Sequence, residues 1–169
     1  MAEKSIVFVC ANPVPEIYPH AAKAAGAYIV ATGRGDFPNQ VNNSVGFPGI
    51  LKGALAVRAK GITDEMAITA AGSLAAFAEK RGINKNSIIA TMEEPGVFPH
   101  VAADVATMAV KQGLSRRELT REEVYALAER DIREAREATE TLIREGLIPQ
   151  PPKEILEEAY NRALEQVGR

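Results

Sequence analysis

The residues in this chain best suited to contact a ligand are side-chain amides. Asn39, Gln40, Asn42 and Asn43 crowd into residues 39–43, inside the stretch GRGDFPNQVNNSVGFPGILKG that spans residues 33–53. A side-chain amide offers two donors and an acceptor, a set suited to a carboxylate, a ribose or a carboxamide. Val41, Val45, Phe47 and Ile50 are interleaved with the amides, so the stretch reads as a binding loop running into a helix. Asn42 and Asn43 are placed at the helix start, where Asn caps well and free backbone N–H groups favour anions. Capping and Asx turns are the competing account of each Asn taken singly; their density favours a ligand for the set. A further amide, Asn12, follows the apolar run SIVFVC. Ligands of open α/β sheets lie outside the carboxyl ends of the strands, and the plain alternative for Asn12 is a turn former before Pro13.

Several chemistries are missing. One Cys and two His exclude the usual zinc sites. No Walker loop or nucleophile elbow occurs, and Pro38 stands where G-x-G-x-x-G starting at Gly33 needs its third glycine. Carboxylates are plentiful but scattered over helices. The chain thus offers binding groups without an evident acid, base or nucleophile. Cys10 ends an apolar strand and reads as a buried small hydrophobe rather than a reactive thiol. A single Cys excludes an internal disulfide and fits a reducing, cytoplasmic compartment. His20 and His100 read as surface or capping residues.

These groups need elements to hold them. The continuous apolar run at residues 5–10 predicts a parallel strand buried on both faces. A short helix over residues 16–25, closed by Gly26, leads to a second strand over residues 27–32, a βαβ unit. Two such strands lack enough following strands to cover their edges, so the first reads as an inner strand of a larger sheet. Helices follow at 47–60, with Phe47, Ile50, Leu51, Leu55 and Val57 inward; at 63–81, capped by Thr63; and at 99–112, with Val101, Val105, Met108 and Ala109 inward. Beyond residue 114 charges crowd in. Thr120 and Glu123 form a capping box. An apolar stripe then runs from Val124 to Ile143, and a last one from Ile155 to Val167, giving a helical hairpin. The fold class is therefore α/β, a partial Rossmann-like sheet of two parallel strands followed by a mostly helical region and a C-terminal hairpin. The expected division is residues 1–113 and 114–169.

Of the 169 residues, 46% are hydrophobic and 25% charged, and the net charge is −2. That balance gives no electrostatic case for nucleic acid. No run reaches the roughly 20 apolar residues of a membrane helix, and the opening MAEKSIVFVC does not read as a signal peptide.

Residues 11–63 closely resemble the C-terminal half of bacterial and archaeal NAD(P)-dependent malic enzymes. The resemblance is carried by Ala11-Asn12-Pro13 with Pro15-Glu16-Ile17, by Ala31-Thr32-Gly33-Arg34, by residues 36–43, and by Gly46-Phe47-Pro48-Gly49. It extends over about residues 5–112 and leaves the hairpin aside. It implies oxidative decarboxylation of (S)-malate to pyruvate and CO2, with NAD or NADP and a Mg2+ or Mn2+ ion. It places Asn12 at malate and the nicotinamide ribose, and Asn42 and Asn43 at the malate carboxylate. Gly35 departs from the Ser usual in the family. The family's catalytic Tyr and Lys, its metal ligands and its dinucleotide loop have no counterpart here. The resemblance therefore implies no catalytic residue and no metal ligand on this chain. It implies a partner chain carrying the N-terminal portion, a homo- or hetero-oligomer, and inactivity of this chain alone. The competing reading is a non-catalytic helical interaction or regulatory module that retains the malate-binding loop.

Overall fold

The computed structural model describes residues 2–167. Two strands, β1 (Ile6–Val9) and β2 (Ile29–Thr32), pair in parallel from Ile6 opposite Ile29 to Val9 opposite Thr32. The six-residue helix α1 (Pro19–Ala24) joins them. Its start lies later than the sequence suggests, because Tyr18 precedes a proline and is extended, with φ −69° and ψ 141°, as pre-proline sterics demand. Pro19 then opens the helix, where a missing N–H costs nothing. Glu16 lies outside the helix and accepts the Ala11 N–H at 3.1 Å.

Val9, Ala22, Ala27 and Val30 form a small core with Val7 against it. The other face of β1 is open: Ile6 and Phe8 are each 55% exposed. The expectation of burial on both faces is thus corrected. Successive side chains alternate between faces, and α1 supplies apolar cover to one of them only. Cys10 is exposed too, not buried as expected, because β1 ends at Val9 and Cys10 already belongs to the turn.

The larger core lies among α2 (Phe47–Ala56), α3 (Asp64–Arg81) and α4 (Val97–Lys111). Its fully buried members include Val57, Met66, Val97, Val101, Val105 and Ala109. Helices α2 and α4 approach closely because Gly49 and Gly53 put no side chain between them. A Cβ on Gly49 would lie 2.6 Å from the Val101 Cβ, and one on Gly53 would collide with the Ala102 carbonyl oxygen. This face, one turn apart at positions 49 and 53, is what α2 buries. Leu55 and Phe47 project elsewhere and are 70% and 58% exposed, against the expectation that they face inward. Helix α2 ends at Ala56 rather than near residue 60, with Arg58 at φ 50°.

Helix α3 follows its sequence signals closely. The Thr63 hydroxyl accepts the Met66 N–H at 3.3 Å, Asp64 and Glu65 occupy the first turn, and Gly82 closes the helix at φ 98°. Helix α4 starts at Val97, ahead of the expected residue 99. Pro99 is tolerated there because first-turn N–H groups have no intrahelical partner. Helix α5 (Arg121–Arg144) opens on the reciprocal box: Thr120 N–H to Glu123 Oε2 at 2.7 Å, and Glu123 N–H to Thr120 Oγ1 at 3.2 Å. The donated Thr120 amide holds the Glu123 carboxyl below its ordinary range.

The chain divides into two compact units, Met1–Arg130 and Asp131–Arg169, and α5 runs from the first into the second. Val124 and Ala128 of α5 belong to the first unit's core. The second unit contains the rest of α5 and α6 (Lys153–Val167). From residue 133 to residue 164 every residue is exposed, including Leu142, Ile155, Leu156 and Tyr160 of the expected stripes. The side chain of Val167 lies outside the described residues. Arg133–Glu137 at 3.9 Å and Arg162–Glu158 at 2.5 Å are exposed pairs, which add little stability. Among the described residues no helix is long and apolar enough to cross a membrane.

The candidate site at the strand ends

The loop after β2 is rooted on the end of β1. The Gly33 N–H donates to the Val9 carbonyl at 3.3 Å. A Cβ on Gly33 would lie 2.9 Å from the Cys10 carbonyl oxygen, so only glycine fits this approach without a shift. Thr32, fully buried, donates its N–H to the Asn39 carbonyl at 3.2 Å and accepts the Val41 N–H at 2.8 Å. Residues 33–38 are thereby closed into a loop whose base is one bridge between Thr32 and Gln40.

Arg34 ties that loop to the segment following β1. Its Nε and Nη2 donate to Asp36 Oδ1 and Oδ2 at 2.7 and 2.5 Å, and its Nη1 donates to the Pro13 carbonyl at 3.0 Å. The guanidinium also lies 5.3 Å from the Phe37 ring centroid. Hydrogen bonding to Arg34 holds the Asp36 carboxyl below the usual range, and the same pair raises the guanidinium. Gly35 lies within this turn. A Cβ there would come 3.0 Å from Gln40 Nε2, the mobile end of a side chain, so the turn does not depend on glycine for space.

The amides that look alike in the sequence have different duties. Asn39 is 6% exposed and sits at φ 58°, a conformation Asn adopts more readily than most residues. Its Nδ2 donates to the Val30 and Lys85 carbonyls at 3.1 and 2.7 Å, and its Oδ1 accepts the Ile88 N–H at 3.0 Å. It is a structural bracket with no group left for a ligand. Asn42 donates through Nδ2 to the Gly33 carbonyl at 2.9 Å and accepts the Ser44 N–H through Oδ1 at 2.9 Å. It does not start a helix as expected: α2 begins at Phe47 after Gly46, because the Asn42 carboxamide is spent on an Asx turn. Asn43 accepts the Gly46 and Phe47 N–H groups through its backbone carbonyl, while its exposed side chain makes no hydrogen bond among the described residues. Asn12, exposed at the end of β1, likewise has its amide free of hydrogen bonds there.

The chain of contacts is therefore explicit. Asn42 holds Gly33, Gly33 rests on Val9 and Cys10, and Arg34 grips Pro13 beside Asn12. Asn12 and Asn43 carry the unspent amides. Sequence reading missed the bracket role of Asn39, whose partners at Lys85 and Ile88 are too remote for any spacing rule. The Arg34–Asp36 spacing was the available signal for the grip. A nearby hollow of about 340 Å³ is lined by Phe37, Pro38, Asn39, Gln40 and Met92 among others, and none of Asn12, Asn42 and Asn43 lines it. No three His, Cys, Asp or Glu side chains among the described residues come together to hold a metal.

The family model described as malic enzyme, NAD binding domain, matches residues 6–112. The bifunctional malic/malolactic enzyme of Bacillus subtilis is 45% identical over 124 residues, covering 73% of this chain and 30% of its own length. The crystal structure of Entamoeba histolytica malic enzyme superposes with a TM-score of 0.91 at 64% identity, over 98% of this chain and 34% of that one. The malic enzyme of Pyrococcus horikoshii gives a TM-score of 0.71 at 49% identity, over 76% of this chain and 29% of that one. The chain thus spans about a third of the length of each of these three relatives.

Proposed function

The chain belongs to the malic enzyme family through its NAD-binding domain, and from this premise we propose that it supplies substrate-binding residues to the oxidative decarboxylation of (S)-malate to pyruvate and CO2. The observation that carries the reading is the family match over residues 6–112, which contains the whole strand-end loop. Asn43 and Asn12 act as the ligand-facing amides. Each presents an N–H pair to an anionic carboxylate, and Asn12 also reaches the nicotinamide ribose. Asn42 lies at the malate carboxylate as well, where it works through the backbone: by holding Gly33 and Ser44 it fixes the segment that displays Asn43. NAD or NADP, when bound, supplies the hydride acceptor.

The acid, base and metal-binding groups belong to the N-terminal portion of a malic enzyme, outside the stretch matched here. Mg2+ or Mn2+ would be held by that portion. The open face of β1, with Ile6 and Phe8 each 55% exposed, supports docking of that portion against the sheet. Large apolar side chains gathered on one strand face are stabilised by being covered. We assign residues 1–113 to the NAD-binding domain and residues 114–169 to a helical extension.

The test is reconstitution. The chain alone should show no malate-dependent reduction of NAD or NADP in the presence of Mn2+. Co-expressed with the N-terminal portion of a malic enzyme, it should co-purify and turn over malate. Activity from the isolated chain, or failure of the reconstituted pair to act on malate, would overturn the assignment.

A further inference from the structure

Away from the strand ends, the first unit contains a cleft of about 140 Å³ between α3, α4 and the start of α5. Ser73, Phe77 and Lys80 line it from α3, His100 and Asp104 from α4, and Arg121 from α5. Ser73 is 8% exposed, yet its hydroxyl makes no hydrogen bond among the described residues. The described residues also contain no fully enclosed polar side-chain atom without a partner. The Ser73 oxygen therefore keeps an opening onto the cleft. A hydroxyl open to a cleft in this way offers it one donor and two acceptor lone pairs.

The charges around it are unequal. Arg121 donates through Nε to Asp104 Oδ1 at 2.7 Å, which leaves its terminal nitrogens without a hydrogen bond among the described residues. Lys80 has no ion pair there. Two cations thus face one carboxylate. His100 sits between aromatic neighbours, 5.6 Å from the Phe77 ring centroid and 5.0 Å from that of Tyr125. It is not the surface or capping residue that the sequence suggests. Burial first, then Arg121 and Lys80 against Asp104, hold its imidazole below the ordinary value.

We propose that this cleft binds a small oxyanion group, a carboxylate or a phosphate, held by Lys80, Arg121 and the Ser73 hydroxyl beside His100. Its size agrees: a cavity of about 150 Å³ accommodates a molecule of benzene's volume, so the ligand is an oxyanion head with at most a short carbon body against Phe77. The site is separate from the strand-end amides and does not depend on the malate reading. An anion seated there would offset the cationic field on His100. Coupling between the anion and the His100 proton is reciprocal, so binding strengthens as pH falls through the His100 titration.

The experiment follows the imidazole resonances of the full chain by NMR against pH, with inorganic phosphate in one arm, propionate in a second and chloride at matched ionic strength in a third. His20, exposed and remote in sequence, is the internal reference. The His100 pKa should rise by about one pH unit in the phosphate arm, the propionate arm or both, while His20 follows the chloride control. Response to phosphate alone or to propionate alone identifies the head group. Lys80→Ala, at an exposed position, and Ser73→Ala should each diminish the response without altering the fold. The proposal is overturned if neither probe moves His100 beyond chloride, if His20 moves equally, or if both variants respond like the parent chain.

Discussion

Between α2 and α4 the close approach is made by missing side chains, whereas residues 32–42 are held by side chains that are present and fully engaged. Gly49 and Gly53 let the Val101 and Ala102 turn of α4 come within reach of the α2 backbone. Asn39, Asn42 and Arg34 hold the loop through directional hydrogen bonds to backbone groups at Val30, Lys85, Gly33 and Pro13. Dense apolar packing responds to volume. A polar loop responds to the loss of a single donor or acceptor. The first region is a scaffold that tolerates exchange of its exposed residues. The second is a display that tolerates little change in its hidden polar ones.

The largest expected effect tests the scaffold. Gly53→Val should lower unfolding free energy in urea by about 3 kcal/mol, the upper range for overpacking, because the added Cβ meets the α4 backbone rather than a movable side chain. Gly61→Ala, with nothing within 4 Å of its added Cβ, should change stability by no more than about 0.5 kcal/mol. Equal behaviour of the two would break the volume account.

Next comes the hidden amide. Asn39→Ala should cost about 2 kcal/mol, since it leaves two carbonyls and one N–H without partners, and it should show in urea unfolding as well. Asn42→Ala should cost about 1 kcal/mol. Asn43→Ala should leave stability within about 0.5 kcal/mol, yet lower kcat/KM for malate in the reconstituted enzyme by roughly 10- to 100-fold, as expected for a hydrogen bond to a charged group. That pairing sharpens the division between amides that hold and amides that present. Unchanged malate kinetics would remove Asn43 from the site.

The smallest effect belongs to Arg34 and Asp36. The Asp36 carboxyl titrates below its ordinary range in the folded chain, chiefly through its hydrogen bonds from Arg34. A lowered carboxylate contributes stability above its unfolded pKa of about 4 and loses it as pH falls through the folded value. The melting temperature of Asp36→Asn should therefore fall slightly below that of the parent at neutral pH and converge with it in acid. High salt should shrink the difference, since both groups are solvated.

The fold was largely legible in the sequence wherever the signal was local. Thr63 with Asp64 and Glu65 announced α3, Thr120 with Glu123 announced α5, and Gly82 marked an end. The parallel pair of strands followed from two apolar runs separated by a short Ala-rich segment. The misreadings share a cause. Cys10, Phe47, Leu55 and the outer face of β1 were judged by hydrophobicity, but exposure depends on which neighbour arrives, and α2 turned its glycines inward. At the site, the amides were visible by type and not by duty. Asn39 and Asn43 are four positions apart and chemically identical. One is consumed by residues some 46 to 49 positions later; the other makes no side-chain hydrogen bond among the described residues.

By itself the sequence determined the helix boundaries set by caps and glycines, the parallel βαβ start, the amide-rich loop and the family resemblance. These are properties of neighbouring residues and of a recognisable order of motifs. Only the tertiary structure decided which amides are unspent, which helix face is buried, and that Ser73, Lys80, His100 and Arg121 meet in one cleft. Hydrogen-bond capacity is finite, and whether a donor is free depends on every group that folds against it.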